Sequence, residues 1–207
     1  ANQDYLFCAA CHSEDGHDGR VWDFTDLGEG LRNTIGLGGH GSGHGPLHWT
    51  ANFDEFQDFE GQIRHFGGTG LMTPADFTAT MDPLGAPKAG LSADLDALAA
   101  YLASLTETGP SPARQSDGSF TPDAVAGRAI FESEGCGGCH VGLEFTDSDQ
   151  GLLHDVGTLK AGSGPQTALD TPTLRGLWRA GPYLHDGSAA TLEDAVAAHS
   201  FVSLTSP

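Results

Sequence analysis

The sequence predicts a mainly α-helical chain of two tandem domains, joined by a short linker and threaded with long glycine-rich loops. Three observations predict it. The pattern Cys-x-x-Cys-His occurs twice, at Cys8-Ala9-Ala10-Cys11-His12 and Cys136-Gly137-Gly138-Cys139-His140, and it uses all four cysteines. Matching landmarks follow each occurrence. The chain is also lean in side chains that fill a core: hydrophobic residues without glycine make up 38% of its 207, at the low edge of the roughly 45–50% apolar share of soluble domains once its usual ~7% glycine is set aside. Glycine is 30 of 207, about twice the usual ~7%. Such a chain is a weak candidate for a self-sufficient core and calls for a staple.

The cysteine motif supplies one. Two thiols three positions apart on a helical turn reach the two vinyl groups of a porphyrin as thioethers. The adjacent histidine then presents a nitrogen to the iron as proximal ligand. A disulfide framework does not predict a histidine after each pair. A zinc site would leave those histidines unexplained, and a thioredoxin-like pair needs one motif in a βαβ context. Two covalent c-type haems are therefore expected, one on Cys8, Cys11 and His12, the other on Cys136, Cys139 and His140. Each domain is expected to wrap around its haem.

Taken in order, the first unit carries Leu31-Arg32-Asn33-Thr34, then Gly45-Pro46-Leu47-His48-Trp49, then a helix over Phe53 to about Phe66. It closes on an amphipathic helix with Leu91, Leu95, Leu98 and Leu102 at helical spacing. A proline- and serine-rich linker spans 109–118, and Asp123 to Ser133 is a short helix leading into the second motif. The second unit repeats Leu174-Arg175-Gly176-Leu177, then Gly181-Pro182-Tyr183-Leu184-His185. Its helix runs from Leu192 to about His199, with Thr191 and Asp194 as a capping-box variant. The domains are thus 1–108 and 119–207. The second closing helix should begin where the chain ends, at Leu204-Thr205-Ser206-Pro207, so the gene product is expected to continue beyond 207. The opening Ala1-Asn2-Gln3-Asp4 is expected from a mature or trimmed product.

Charge narrows the function classes. With 28 acidic against 9 basic residues the net charge is −19, which excludes a phosphate-backbone binder. No apolar run approaches the roughly 18 residues of a membrane span. Covalent haem attachment occurs outside the cytoplasm, so a periplasmic or extracellular location is expected.

Asp170-Thr171-Pro172-Thr173-Leu174-Arg175-Gly176-Leu177 and the run from Gly181 through Val196 resemble the bacterial di-haem cytochrome c peroxidases and their MauG-type relatives. The likeness is specific over roughly 136–199 and looser over 8–105. It implies two cytochrome-c-like α domains, an interface calcium ion, and a tryptophan between the haems. One haem passes electrons and the other reduces hydrogen peroxide. Carried over, Cys136, Cys139 and His140 hold the electron-transfer haem. Its second axial ligand, usually methionine, falls on His199, and His/His ligation lowers the potential relative to His/Met. The bridging tryptophan falls on Trp49 and the distal glutamine on Gln62. The peroxide-handling acid has no counterpart near Met72, which leaves Glu60 or a histidine of the glycine-rich loop to move protons.

Other histidines compete for the first haem's sixth position: His65, which follows its helix as His199 follows the second, then His44 and His48, with Met72 as a further candidate. His185 is expected to bond a propionate or a backbone group, and His17, His40 and His154 to sit in solvated loops. Arg32 and Arg175 recur at matching places, and a guanidinium fork suits a haem propionate. Two functions follow. One is peroxide reduction at the first haem, with electrons entering at the second from a small cytochrome or cupredoxin. The other is an electron carrier with both haems six-coordinate.

Overall fold

Each Cys-x-x-Cys-His motif is followed by the same short elements in the same order. The computed structural model describes residues 8–40 and 45–199; His44 and the segment 204–207 lie outside them. Helix α1 is the single turn Cys8–Cys11. A hairpin follows, β1 (Val21–Asp23) antiparallel to β2 (Leu31–Asn33). In the second half a 3-10 turn at Cys136–Gly138 precedes His140, and β3 (Leu153–His154) pairs with β4 (Leu169–Asp170). Strands are as scarce as expected.

Next comes a tight bridged loop. Leu47 bridges Phe53, and Tyr183 bridges Ala189 at the same spacing. His48 and Leu184 share positive φ values of 67° and 69°, and so do Ala51 and Gly187, at 52° and 66°. A positive φ is uncommon outside glycine, so its recurrence at matched places shows one backbone design used twice. The register continues into the helices without a gap. Glu55 and Thr191 are both N-caps in capping boxes, closed by Asp58 and Asp194.

The first helix starts later than Phe53 because Phe53 is spent on the bridge. The chain coils as a 3-10 turn over Phe56–Phe59 and then as α2, Glu60–His65. Helix α3 (Pro74–Ala79) was not expected, although Thr73 caps it and Pro74 opens it. Helix α4 is Ala93–Ala103, N-capped by Ser92. Leu91 therefore lies outside it and is exposed, whereas Leu95 is fully buried and packs α4 over the 3-10 turn. Helix α5 spans Pro122–Ser133 behind Thr121, and α6 is Leu192–Ala197. The expected linker is partly structured, since Arg114 bridges Phe120 and stacks over its ring.

The two halves meet along their hairpins. The backbone N–H of Asn33 donates to His185 O (2.6 Å), and that of Asp170 donates to Trp49 O (2.8 Å). Gly30 is needed where this contact is tightest: at φ 78°, a Cβ would lie 2.4 Å from Gly164 N and 2.5 Å from Gly162 O. These bonds make Asn33 and Asp170 equivalent, so Arg32 and Arg175 are not. Arg32 precedes Asn33 on β2, while Arg175 lies five residues past Asp170, in the loop after β4.

Among the described residues, more polar than apolar side chains are buried. The apolar ones are Phe53, Met72, Leu95, Ala99, Leu169 and Ala189. Polar burial includes two salt bridges, Arg32–Glu29 (3.0 Å) and Lys88–Asp58 (2.6 Å).

Candidate functional site

Cys136, Cys139 and His140 open onto a cavity of about 630 Å³, faced by Leu192 and Val196 of α6 and by His199 just past its C-cap. His140 Nδ1 lies 3.0 Å from Phe145 O, and His199 Nδ1 lies 2.8 Å from Ala195 O. A carbonyl can only accept, so each Nδ1 carries the proton and the lone pair rests on Nε2, the form a metal ligand needs. Burial is the main force pushing His140 below the ordinary histidine range, and His199 nearby adds to it. Burial likewise lowers His12.

Several features test whether a haem fits. No described cysteine is in a disulfide, and burial raises both the Cys11 and Cys139 thiols. Trp49 Nε1 is a buried donor without a partner on the cavity wall, suited to an acceptor such as a porphyrin carboxylate. Two histidine lone pairs, a thiol pair and an apolar cavity between them match a c-type haem.

The first half differs in one respect that matters. The gapless register from the bridged loop to the helix puts Ile63, not His65, at the place of His199. His65 lies two residues on, about 200° around the helix, and pairs with Asp26 at 3.2 Å. His48, expected as a candidate ligand, is instead fixed in a polar chain. Glu29 holds Arg32 at Oε2 (3.0 Å) and accepts from Asn52 Nδ2 at Oε1 (2.9 Å). Asn52 Oδ1 must then accept from His48 Nδ1 (2.7 Å), and His48 Nε2 faces Gln62 Nε2 at 3.3 Å. That order of donors makes His48 neutral, with the Gln62 amide donating to it; burial pushes the ring the same way.

Glu60 is fully buried, and its carboxylate is occupied. It pairs with Arg64 (2.7 Å) and accepts from the backbone N–H groups of Leu71 and Met72. Met72 is buried beside it. The Arg175 guanidinium binds both Glu144 oxygens (3.0 Å each) and Thr106 O. The Arg32 guanidinium reaches Glu29, Ser163 O and Gln166. Both arginines are thus engaged by protein groups, although Arg175 also lines the cavity.

Trp49 and His185 meet edge to face across the halves, ring centroids 6.2 Å apart. His185 bonds Ser163 Oγ at 2.8 Å. Two histidines expected in solvated loops are engaged: His17 donates to Arg179 O (2.7 Å), and His154 pairs with Asp147 (2.8 Å). Sequence reasoning missed Asp147 and Asp170, both buried near the second motif; neither an acidic residue in a loop nor one ending a two-residue strand carries a local signal of burial. Among the described residues, one group of three metal-type donors lies close enough to share an ion, Cys139, Asp147 and His154. Its sulfur and nitrogen donors are not those of a calcium site.

No protein-family model matches the chain. The gamma subunit of hydrazine synthase from Kuenenia stuttgartiensis is 31% identical over 242 residues, covering 91% of this chain and 63% of that protein. The methylamine utilization protein MauG of Methylorubrum extorquens is 39% identical over 85 residues, 34% of this chain and 23% of its own length. A solved chain of the Kuenenia stuttgartiensis hydrazine synthase has a TM-score of 0.63 at 27% identity, covering 95% of this chain and 73% of that one. The homologues of this chain are thus di-haem cytochrome c peroxidase and MauG-type proteins. A MauG-like protein associated with microbial copper homeostasis shares the fold, with a TM-score of 0.60 at 19% identity over 92% of this chain and 67% of its own. The chain spans less than two thirds of the length of the curated relatives it matches. Homologues of this kind imply a haem cofactor and a redox function. No helix among the described residues is long and apolar enough to cross a membrane.

Proposed function

We propose that this chain carries two covalent haems, one in each of two tandem domains (1–108 and 119–207), and works outside the cytoplasm. Cys136, Cys139, His140 and His199 would hold the second haem, which would take electrons from a small redox protein. Cys8, Cys11 and His12 would hold the first, with no second side chain bound to its iron, which would leave room for a peroxide-class substrate. One observation carries the reading: Ile63 stands where the second half has His199, and an isoleucine has no lone pair to offer.

Bound haem supplies electron storage and, where an axial side is open, a place for a small molecule to be reduced. The chain's own residues do the rest. The carbonyls of Phe145 and Ala195 fix the tautomers of His140 and His199. Trp49 and His185 form the packed contact between halves through which electrons pass. His48, held neutral by the Asn52–Glu29–Arg32 chain, accepts a proton at Nε2, and Gln62 orients the substrate. Glu60 holds the 70–72 segment and takes no part in proton transfer.

Electron paramagnetic resonance on the oxidised and half-reduced holoprotein tests this reading. One low-spin and one high-spin haem are expected, with one carbon monoxide bound per two haems after reduction and a spectral change on adding hydrogen peroxide. Two low-spin haems, blind to both ligands, would establish the electron carrier instead.

A further inference from the structure

Behind the second haem cavity lies a group of ionisable side chains that the proposed chemistry does not use. Asp170 ends β4, lines the cavity and is 4% exposed. Its Oδ2 accepts from Ser148 Oγ at 2.7 Å, while its Oδ1 is buried without a partner. Asp147 beside it is 1% exposed, and it too has an unpartnered Oδ1. Asp147 Oδ2 is bonded to His154 Nε2, and the His154 side chain is 31% exposed. Two buried carboxylates, each with an idle oxygen, lie within electrostatic reach of each other, and one of them is bonded to a half-exposed imidazole.

We infer that Asp170, backed by Asp147 and His154, is a proton-binding site coupled to the second haem: it takes up one proton from solvent for each electron that haem gains. The inference rests on the two-haem reading above. Its balance is simple. An external one-electron donor supplies the electron, the Asp170 carboxylate becomes a carboxylic acid, and reoxidation returns the proton to solvent. The cause is Coulombic, because one added negative charge in a poorly screened cavity favours the protonated acid. The groups facing Asp170 set its starting point. Burial raises it most, Asp147 raises it further, and Ser148, the Thr171 N–H and His154 lower it, leaving it at about 6. The site is therefore poised where a redox change can move its occupancy at neutral pH.

Reductive titration of the holoprotein between pH 5 and 8, followed in the low-spin absorption, tests the coupling. The midpoint potential should fall with pH at a slope approaching tenfold per unit, about 59 mV for a one-electron couple. Asp170→Asn should flatten that slope. It should also delete a protonated-carboxyl C=O band from the reduced-minus-oxidised infrared spectrum. A flat wild-type profile overturns the inference, and so does a slope that survives in the variant. Haem count and spin state are read in the same samples, so a failed slope beside an intact low-spin haem removes the proton site and leaves the two-haem reading standing. Should Asp170→Asn not load haem, Ser148→Ala removes the donor to Oδ2 and should move the sloped window to higher pH; an unmoved window overturns the inference.

Discussion

Asp170 also couples pH to stability, and the sign can be worked out. Its folded value of about 6 lies above the ordinary carboxylate value of 3.8, so the fold binds the proton more tightly than the unfolded chain does. The group costs nothing below about pH 4, costs more as pH rises to 6, and holds constant above. Allowing for screening, the penalty at pH 7 is about 2 kcal/mol. Urea unfolding of holoprotein and Asp170→Asn should thus diverge in the variant's favour between pH 4 and 6 and stay parallel above. Glu60 carries an opposite lesson. Gly70 sits at φ 77°, where a Cβ would fall 2.1 Å from Glu60 Oε1, so Gly70→Ala should destabilise by roughly 1–3 kcal/mol through lost backbone bonds to a buried carboxylate. If His48 accepts the substrate proton, His48→Leu should cut peroxide turnover roughly 100-fold or more, with haem content unchanged. The two motifs, His199 and Trp49 stand out in the sequence because each sits in a distinctive run. The sequence does not show that Glu60, Arg32 and Arg175 find partners within the protein, since those partners lie on other elements.

Capping chemistry shows how far elements can be read from local sequence. Thr191 and Asp194 form the expected box, and Thr191→Ala should cost about 1 kcal/mol, read as earlier loss of the low-spin signal on heating because α6 leads directly into His199. Glu55 and Asp58 build the same box in the first half, yet a glutamate cap lies outside the usual Ser, Thr, Asp and Asn set. A reading from composition therefore starts this helix at Phe53, three residues before Phe56, and matches His65 to His199. The bridged loops at 47–53 and 183–189 set the true register, and backbone bridges leave little trace in composition. The register makes a sharp prediction: Ile63→His should supply the missing axial nitrogen, convert the high-spin haem to low spin and abolish carbon monoxide binding. A variant that keeps its high-spin signal would reject the register.

The molecule as a whole has a core too polar to stand alone. Ion pairs such as Lys88–Asp58 are weak sources of net stability, and the six buried apolar side chains among the described residues are few for a chain this long. Cys136→Ala with Cys139→Ala should therefore lose cooperative thermal unfolding as well as the haem. This much was legible from the aliphatic deficit; the interlocking of the two halves through Gly30, Asn33 and Asp170 was not, because long-range backbone contacts have no local signature. The charge of −19 favours a basic electron donor, whose association rate should fall steeply as salt rises. The buried ion pair has a practical corollary. The sequence holds only two lysines; Lys88 is 1% exposed, whereas the Lys160 side chain is 52% exposed. An amine-reactive tether meets a single accessible lysine, on the 160–164 loop that seats Gly30. Wiring the protein to an electrode through Lys160 would present every such molecule in one orientation.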